Sequence, residues 1–244
     1  MTKVALVGYG AMGKELERLA PQNHVEIISV HDLDKPLTQE AAQAVDAVID
    51  FTQPDSVMQT VTTCCAAGTP LVIGTTGWQD QLETVRAMAE KHGIGIIYAS
   101  NFSLGVNLFM GIVERAGALI NGHAEFDATV HEWHHKRKKD SPSGTALSVA
   151  QTLLDQLLAK THIETETQHT AIDPTALHVT STRGGETIGI HRVTFDGPHD
   201  TITLEHHAKD RAGFAAGALI ASTQIHNVKG LTSFYDLISG AANK

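Results

Sequence analysis

"KVALVGYGAMGKEL", residues 3–16, decides the fold. A short apolar run at 3–7 ends in glycine. Gly8, Gly10 and Gly13 then follow as G-x-G-x-x-G, and Met12, Leu16 and Leu19 recur at helical spacing. Strand, glycine turn and helix in that order open a βαβ unit. Glycine lets the backbone turn tightly and approach a pyrophosphate closely. The helix N-terminus behind it supplies unpaired N–H donors and a partial positive charge. In this setting the motif predicts dinucleotide binding, with Gly8, Tyr9, Gly10, Ala11, Met12 and Gly13 along the cofactor; the alternative is a glycine turn with no ligand. An acidic residue about 20 positions on should meet the adenine ribose hydroxyls. Asp32, at the end of the second strand, fits, and His31 is the neighbour that a one-residue slip would exchange for it.

The pattern continues outward. Apolar runs at 25–30, 46–51, 70–74 and 93–99 alternate with helical segments, one opened by Pro54 and stopped at Gly68, another at 78–92. Short β-branched runs interleaved with helices predict a parallel sheet covered on both faces. "GTTG" (74–77) and "ASNFS" (99–103) follow two of those strands, where ligands of open α/β sheets bind. After Asn101 the pattern changes. A long helix over 103–120, an alternating segment at 125–135, a helix from about 143 to 160 and a polar loop at 161–176 are followed by strand-like runs at 177–183, 186–196 and 201–208. Strands without helices between them predict a separate mixed sheet. A small-residue helix at 211–225 could pack back on the first domain. The expected fold is α/β: a Rossmann doubly wound parallel sheet from 1–103 plus 212–244, and a second α+β domain with a mixed, largely open sheet from 104–211.

Composition narrows the function. The chain has 244 residues, 42% hydrophobic, and a net charge of -9, which disfavours nucleic acid and anionic membranes as partners. No run approaches the ~20 apolar residues of a membrane span, and the N-terminus lacks the pattern of a cleaved signal. The only two cysteines, Cys64 and Cys65, are adjacent and poorly placed to bond each other. A reduced, cytoplasmic protein is expected.

"HEWHHKRKKDSPSGTA" (131–146) poses a second question. His131, Glu132 and His135 fit the zinc-protease pattern H-E-x-x-H, which needs a helix to bring both histidines to one metal. Here the letters end an alternating strand. At ~3.3 Å per residue the two histidines would stand ~13 Å apart, so no metal site is expected. Four cations at 136–139 without interleaved aromatics make a poor nucleic-acid patch. The letters that follow read better as an anion site. Pro142 suits a first helical turn, Asp140 or Ser141 can cap it, and Ser143, Gly144 and Thr145 present backbone donors at the positive end of the dipole. Two imidazoles and a lysine stand beside them. A dinucleotide, an anion clamp and a general acid are what hydride delivery to an acid-bearing, electron-poor carbon requires.

Glu132, His134, His135, Lys138, Asp140, Pro142, Ser143, Gly144, Thr145 and Ala146 fill every fixed position of E-x-H-H-x-x-K-x-D-x-P-S-G-T-A. That signature resembles the dihydrodipicolinate reductase family. The glycine motif, "DFTQP" (50–54), "GTTG", "ASNFSLGVN" (99–107) and "HHAKDRAGFAAGAL" (206–219) also look like family segments in the right order. The resemblance implies reduction of a cyclic dicarboxylate in lysine and diaminopimelate biosynthesis with NADH or NADPH, by a homotetramer. Carried over by position, His134 looks like the catalytic acid/base and Lys138 like the proton donor. His135, Lys138, Gly144 and Thr145 look like substrate ligands. Phe51, Gly74, Thr75, Thr76, Ala99, Ser100, Asn101 and Phe102 look like cofactor contacts. Two departures stand out. The glycine loop is one residue tighter than in many relatives, and "VHDLDK" (30–35) stands where some carry Glu-Arg. Without that arginine a modest NADH preference is expected. Other readings are a different two-domain dehydrogenase of aspartate-family metabolites, or a non-catalytic dinucleotide sensor.

Overall fold

The computed structural model describes residues 1–240. It begins β1 (Thr2–Val7), α1 (Ala11–Leu19), β2 (Val25–His31), α2 (Gln39–Gln43), β3 (Ala47–Asp50), α3 (Pro54–Ala67), β4 (Leu71–Ile73), α4 (Leu82–His92) and β5 (Gly95–Tyr98). It continues through α5 (Leu104–Ile120), β6 (Asp127–His134), α6 (Gly144–Leu154), β7 (His162–Glu164), β8 (Ala176–Arg183), β9 (Gly189–Asp196) and β10 (Thr201–Ala208). The last elements are α7 (Ala212–Gln224), β11 (Gly230–Ser233) and α8 (Phe234–Ser239). The chain forms two compact units, Met1–Asn107 with the chain from Ala212 onward, and Leu108–Arg211.

The first unit is a six-stranded parallel sheet in the order β11-β5-β4-β3-β1-β2. Alternation along β1 feeds both faces. Val4 and Leu6 join Leu16, Ala218 and Leu219 on the side of α1 and α7. Ala5 and Val7 join Val57, Val61, Val85 and Ala89 on the side of α3 and α4. That is the doubly wound arrangement, with both faces of the sheet dry. α3 and α4 stop at Gly68 (φ 72°) and Gly93 (φ 67°), whose left-handed conformation only glycine adopts without strain. The small residues of α7 have a steric reason: a Cβ at Gly217 would overlap the carbonyl of Phe102.

The second unit is a five-stranded mixed sheet in the order β10-β9-β6-β8-β7, with β6 antiparallel to β9 and parallel to β8. Its inner face carries Val130, Val179, Val193 and Phe195 against Val149, Ala150 and Leu153 of α6 and Phe109 and Val113 of α5. The outer face of β6 shows Thr129, His131 and Trp133.

Several sequence expectations need correction. The helix expected over 143–160 is α6, which starts at Gly144 and ends at Leu154. Its cap is Ser143, not Asp140 or Ser141, and Pro142 precedes the helix. Ser143 Oγ accepts from Ala146 N at 3.1 Å, which satisfies a donor the earlier residues cannot reach. The expected loop 161–176 contains β7, a three-residue edge strand too short to show a period. α2, β11 and α8 are likewise short and carry no periodic signal.

Candidate active site

The glycine turn after β1 is built for close approach. Gly8 has φ 90°, its N–H donates to the His31 carbonyl at 2.9 Å, and a Cβ there would overlap the Phe51 carbonyl. A Cβ at Gly13 would overlap the Gly8 carbonyl, so both glycines are required by packing. Gly10 differs: nothing lies within 4 Å of where its Cβ would stand, so its side faces open space. A cavity of about 430 Å³ opens there, lined by Gly8, Gly10, Asp32, Phe51, Thr52 and Ser56 among others. A helix N-terminus, an open glycine and a carboxylate on one cavity fit a dinucleotide's pyrophosphate and ribose. Asp32 Oδ1 accepts from the N–H groups of Asp34 and Lys35, both at 3.0 Å, which locks the turn carrying it.

His31 does not share this cavity. It is buried, with Nε2 2.9 Å from Ser29 Oγ, and burial pushes its pKa down. It therefore offers no charge to a 2′-phosphate, whereas Lys35 is exposed. Nearby, buried Asp50 accepts from Thr52 N (3.1 Å), Thr52 Oγ1 (2.8 Å) and Thr75 Oγ1 (2.7 Å), which ties the end of β3 to the end of β4. A Cβ at Gly74 would overlap the Phe51 ring. Ala99 N reaches Ile73 O at 3.3 Å, and Asn101 caps the next turn through Ser103 N at 2.8 Å. Phe102 is 2% exposed, its ring between Phe51 and Phe234 and its carbonyl against Gly217. Tyr9, Ala11 and Met12 lie on the turn and first residues of α1, Ser100 follows β5, and Thr76 follows Thr75.

The second unit gathers the other predicted residues. β6 places Glu132 and His134 on its inner face. Cross-strand register puts His191 opposite Glu132 on one side and Ser181 on the other, with His206 opposite His191. A polar row therefore crosses four strands directly beyond the apolar row of Leu204, Val193, Val130 and Val179. Glu132, fully buried, is its hub. Its Oε1 accepts from Ser143 N at 2.8 Å, Ser181 Oγ at 2.9 Å and Arg183 Nη2 at 2.7 Å. Its Oε2 lies 3.2 Å from His134 Nε2, off the line of an ideal hydrogen bond but within ion-pair range, and 3.8 Å from His191 Nε2. Burial pushes the Glu132 carboxyl up, but the close His134 imidazole and the hydrogen bonds from Ser143 and Arg183 outweigh it and hold it well below the usual carboxylate range.

His134 donates Nδ1–H to the Ile188 carbonyl at 2.7 Å; a carbonyl only accepts, so that nitrogen carries a proton. Lys138 Nζ lies 2.9 and 3.0 Å from the two Asp140 oxygens, and that hydrogen bond pulls the Asp140 carboxyl below its ordinary range. His135 is half-buried, with its N–H on Thr187 O at 2.6 Å. Gly144 is exposed and Thr145 half-buried at the start of α6, while Ser143 is turned inward, its N–H and Oγ committed to Glu132 and the helix cap. His131 sits mid-strand on the outer face, Nδ1 2.8 Å from Thr180 Oγ1, so H-E-x-x-H here is not helical. Among the described residues Glu132, His134 and His191 have ligand atoms within 4.8 Å of one another. The Arg183 guanidinium already on that carboxylate disfavours a further cation there.

Sequence reasoning missed Arg183 and His191. The available signal was alternation: His191 falls in line with the inward Val193 and Phe195, and Arg183 in line with the inward Val179 and Ser181. The structure makes His191 a test of the network. Burial, then the nearby His134, pushes its imidazole down to about 4. Unfolded, it takes up a proton near pH 6.5; folded, it does so only near 4, so the unfolded state gains as pH falls through that window. About 3 kcal/mol of stability should be lost between pH 6.5 and 4 from this group. Denaturant melts at pH 7, 5.5 and 4.5 check it: His191→Gln should lose less stability across the window than the native chain, and an equal slope would refute the assignment.

Residues 2–102 match the family model described as dihydrodipicolinate reductase, N-terminus, and residues 105–238 that described as its C-terminus. A 4-hydroxy-tetrahydrodipicolinate reductase of Christiangramia forsetii is 33% identical over 236 residues, spanning 97% of this chain and 97% of that protein. Another, of Caldanaerobacter subterraneus subsp. tengcongensis, is 33% identical over 243 residues, 94% of each chain. The dipicolinate-bound dihydrodipicolinate reductase from Paenisporosarcina sp. TG-14 aligns with a TM-score of 0.80 and 27% identity, over 96% of this chain and 97% of that one.

Proposed function

The chain belongs to the dihydrodipicolinate reductase family, and from that premise we propose that it reduces 4-hydroxy-tetrahydrodipicolinate to tetrahydrodipicolinate and water, in lysine and diaminopimelate biosynthesis. The observation that carries this reading is the polar end of the second sheet. His134, Lys138 and Arg183 gather beside the start of α6, balanced by Glu132 and Asp140, and His135 follows His134 in the chain. A cyclic dicarboxylate needs cationic and N–H donors for its carboxylates and a proton source near its ring.

The nicotinamide dinucleotide, when bound, supplies the hydride. The turn of Gly8 and Gly10 would hold its pyrophosphate, with Gly13 letting α1 start close beneath the turn, and Asp32 would take the ribose hydroxyls. Backbone of Gly74, Thr75 and Thr76 and of Ala99, Ser100, Asn101 and Phe102 borders it, together with Phe51. His135, Lys138, Gly144 and Thr145 bind the substrate carboxylates, while Ser143 shapes the helix start. Asp140 keeps the Lys138 ammonium oriented until a substrate carboxylate shares it. His134 and Lys138 supply the proton that accompanies the hydride. The enzyme works in the cytoplasm as a homotetramer, through the outer sheet face that shows Thr129, His131 and Trp133; among the described residues no helix is long and apolar enough to cross a membrane.

Dipicolinate, a planar analogue of the substrate, tests the site. It should inhibit competitively against substrate, and Lys138→Ala should weaken it. Inhibition competitive with the dinucleotide alone, or unchanged in Lys138→Ala, would reject the assignment.

The cofactor preference follows from the Asp32 turn. A 2′-phosphate would meet Asp32, with Asp34 nearby and only Lys35 to offset them, since His31 is buried. We expect kcat/KM to favour NADH by about 1 kcal/mol or less, the scale of exposed charge terms. Added salt should narrow the gap. An NADPH preference that shrinks in Lys35→Ala would show that the lysine, not the aspartate, dominates.

A further inference from the structure

We infer that Gly189 and Glu132 position the His134 imidazole: Gly189 by leaving the ring a floor to lie on, Glu132 by fixing which way it faces. β6 and β9 are antiparallel, with Glu132 opposite His191 and Trp133 opposite Ile190. The next pair in that register is His134 and Gly189. A Cβ at position 189 would stand 2.7 Å from His134 Cε1, 3.3 Å from Nδ1 and 3.4 Å from Nε2. It would therefore press on three ring atoms at once, and the first distance is below what real contacts allow.

The ring has little room to yield. His134 is 8% exposed and makes an edge contact with His191, centroids 5.3 Å apart at 71°. Its two nitrogens face different acceptors. Nδ1–H meets the Ile188 carbonyl, one residue before Gly189, and Nε2 meets Glu132 Oε2. A flipped ring would place carbon against both. Glu132 can enforce this because it is itself immobile, with Oε1 held by Ser143 N, Ser181 Oγ and Arg183 Nη2. Neither residue is offered to the substrate. Glycine has no side chain, and Glu132 is 0% exposed.

This inference rests on the reading that His134 acts in the reaction, so the test carries three variants: His134→Gln, Gly189→Ala and Glu132→Asp. Each is measured for kcat, substrate KM, NADH affinity by fluorescence, and melting. The hydrogen-bonded imidazole N–H of His134, assigned by its loss in His134→Gln, is followed by NMR. Gly189→Ala should lower kcat roughly 10–100-fold, the cost of misplacing a reacting group by about an ångström. KM should stay within about threefold, since ground-state binding is untouched. NADH affinity should hold, and the N–H resonance should shift or vanish. Glu132→Asp keeps the charge but withdraws it by one methylene, and should show the same split between kcat and KM. If Gly189→Ala keeps native kcat and an unmoved resonance, the inference is overturned. It is equally overturned if both Gly189→Ala and Glu132→Asp lose kcat only in step with melting temperature and NADH affinity. If His134→Gln itself keeps kcat, the catalytic reading of His134 fails, whatever the other two do.

Discussion

Replacing His134 with glutamine is expected to lower kcat by roughly 10²–10⁴, the usual contribution of a general acid. The side chain can be exchanged with limited damage. Glutamine's amide can still donate to the Ile188 carbonyl that now takes Nδ1–H at 2.7 Å, so β6 and β9 should stay paired. It cannot take up and release a proton beside Glu132 as an imidazole can, and that is the property the proposed role of His134 requires. NADH affinity, which the proposed site assigns to the glycine turn after β1 and to Asp32, should not change. Steady-state kinetics with NADH titrations separate the two effects. An unaltered kcat would make His134 a purely structural residue that completes a buried ion pair.

Removing the Lys138 ammonium should cost more in kcat/KM than in kcat, because its proposed role joins binding to proton supply. Lys138→Ala is expected to lower kcat/KM by on the order of 10³, combining a charged hydrogen bond with an acid. It also leaves Asp140 without the partner that now sits 2.9 and 3.0 Å away, adding a negative charge where a dicarboxylate should bind. Lys138→Arg keeps the positive charge and should recover part of KM. Its guanidinium is too basic to give up a proton readily, so kcat should remain low. Full kcat in the arginine variant would exclude Lys138 as the proton source.

The fold was readable where chemistry forces a pattern. Residues 3–16 specify a strand, a positive-φ turn and a helix, and Gly8 and Gly13 in it have steric reasons visible in the structure, while Gly10 faces open space. β6 was readable from alternation, which also removed the zinc-protease reading of His131 and His135. The cap of α6 was misassigned because it is set by a distant partner: Ser143 N donates to Glu132, eleven residues earlier in the chain. The same long-range logic hid His191 and Arg183. Each is one polar letter in a strand, and only register shows that both face Glu132. His31 stayed open as the alternative to Asp32 for a related reason. Its position at the end of β2 is shared with Asp32, and only side-chain direction separates the buried imidazole from the exposed carboxylate.

The most direct measurement is turnover itself. The purified chain, given NADH and freshly generated 4-hydroxy-tetrahydrodipicolinate, should oxidise one NADH for each tetrahydrodipicolinate formed, and should stop when the cyclic substrate is exhausted. A chain that binds NADH tightly yet shows no substrate-dependent oxidation above background would be a dinucleotide-binding protein with another role.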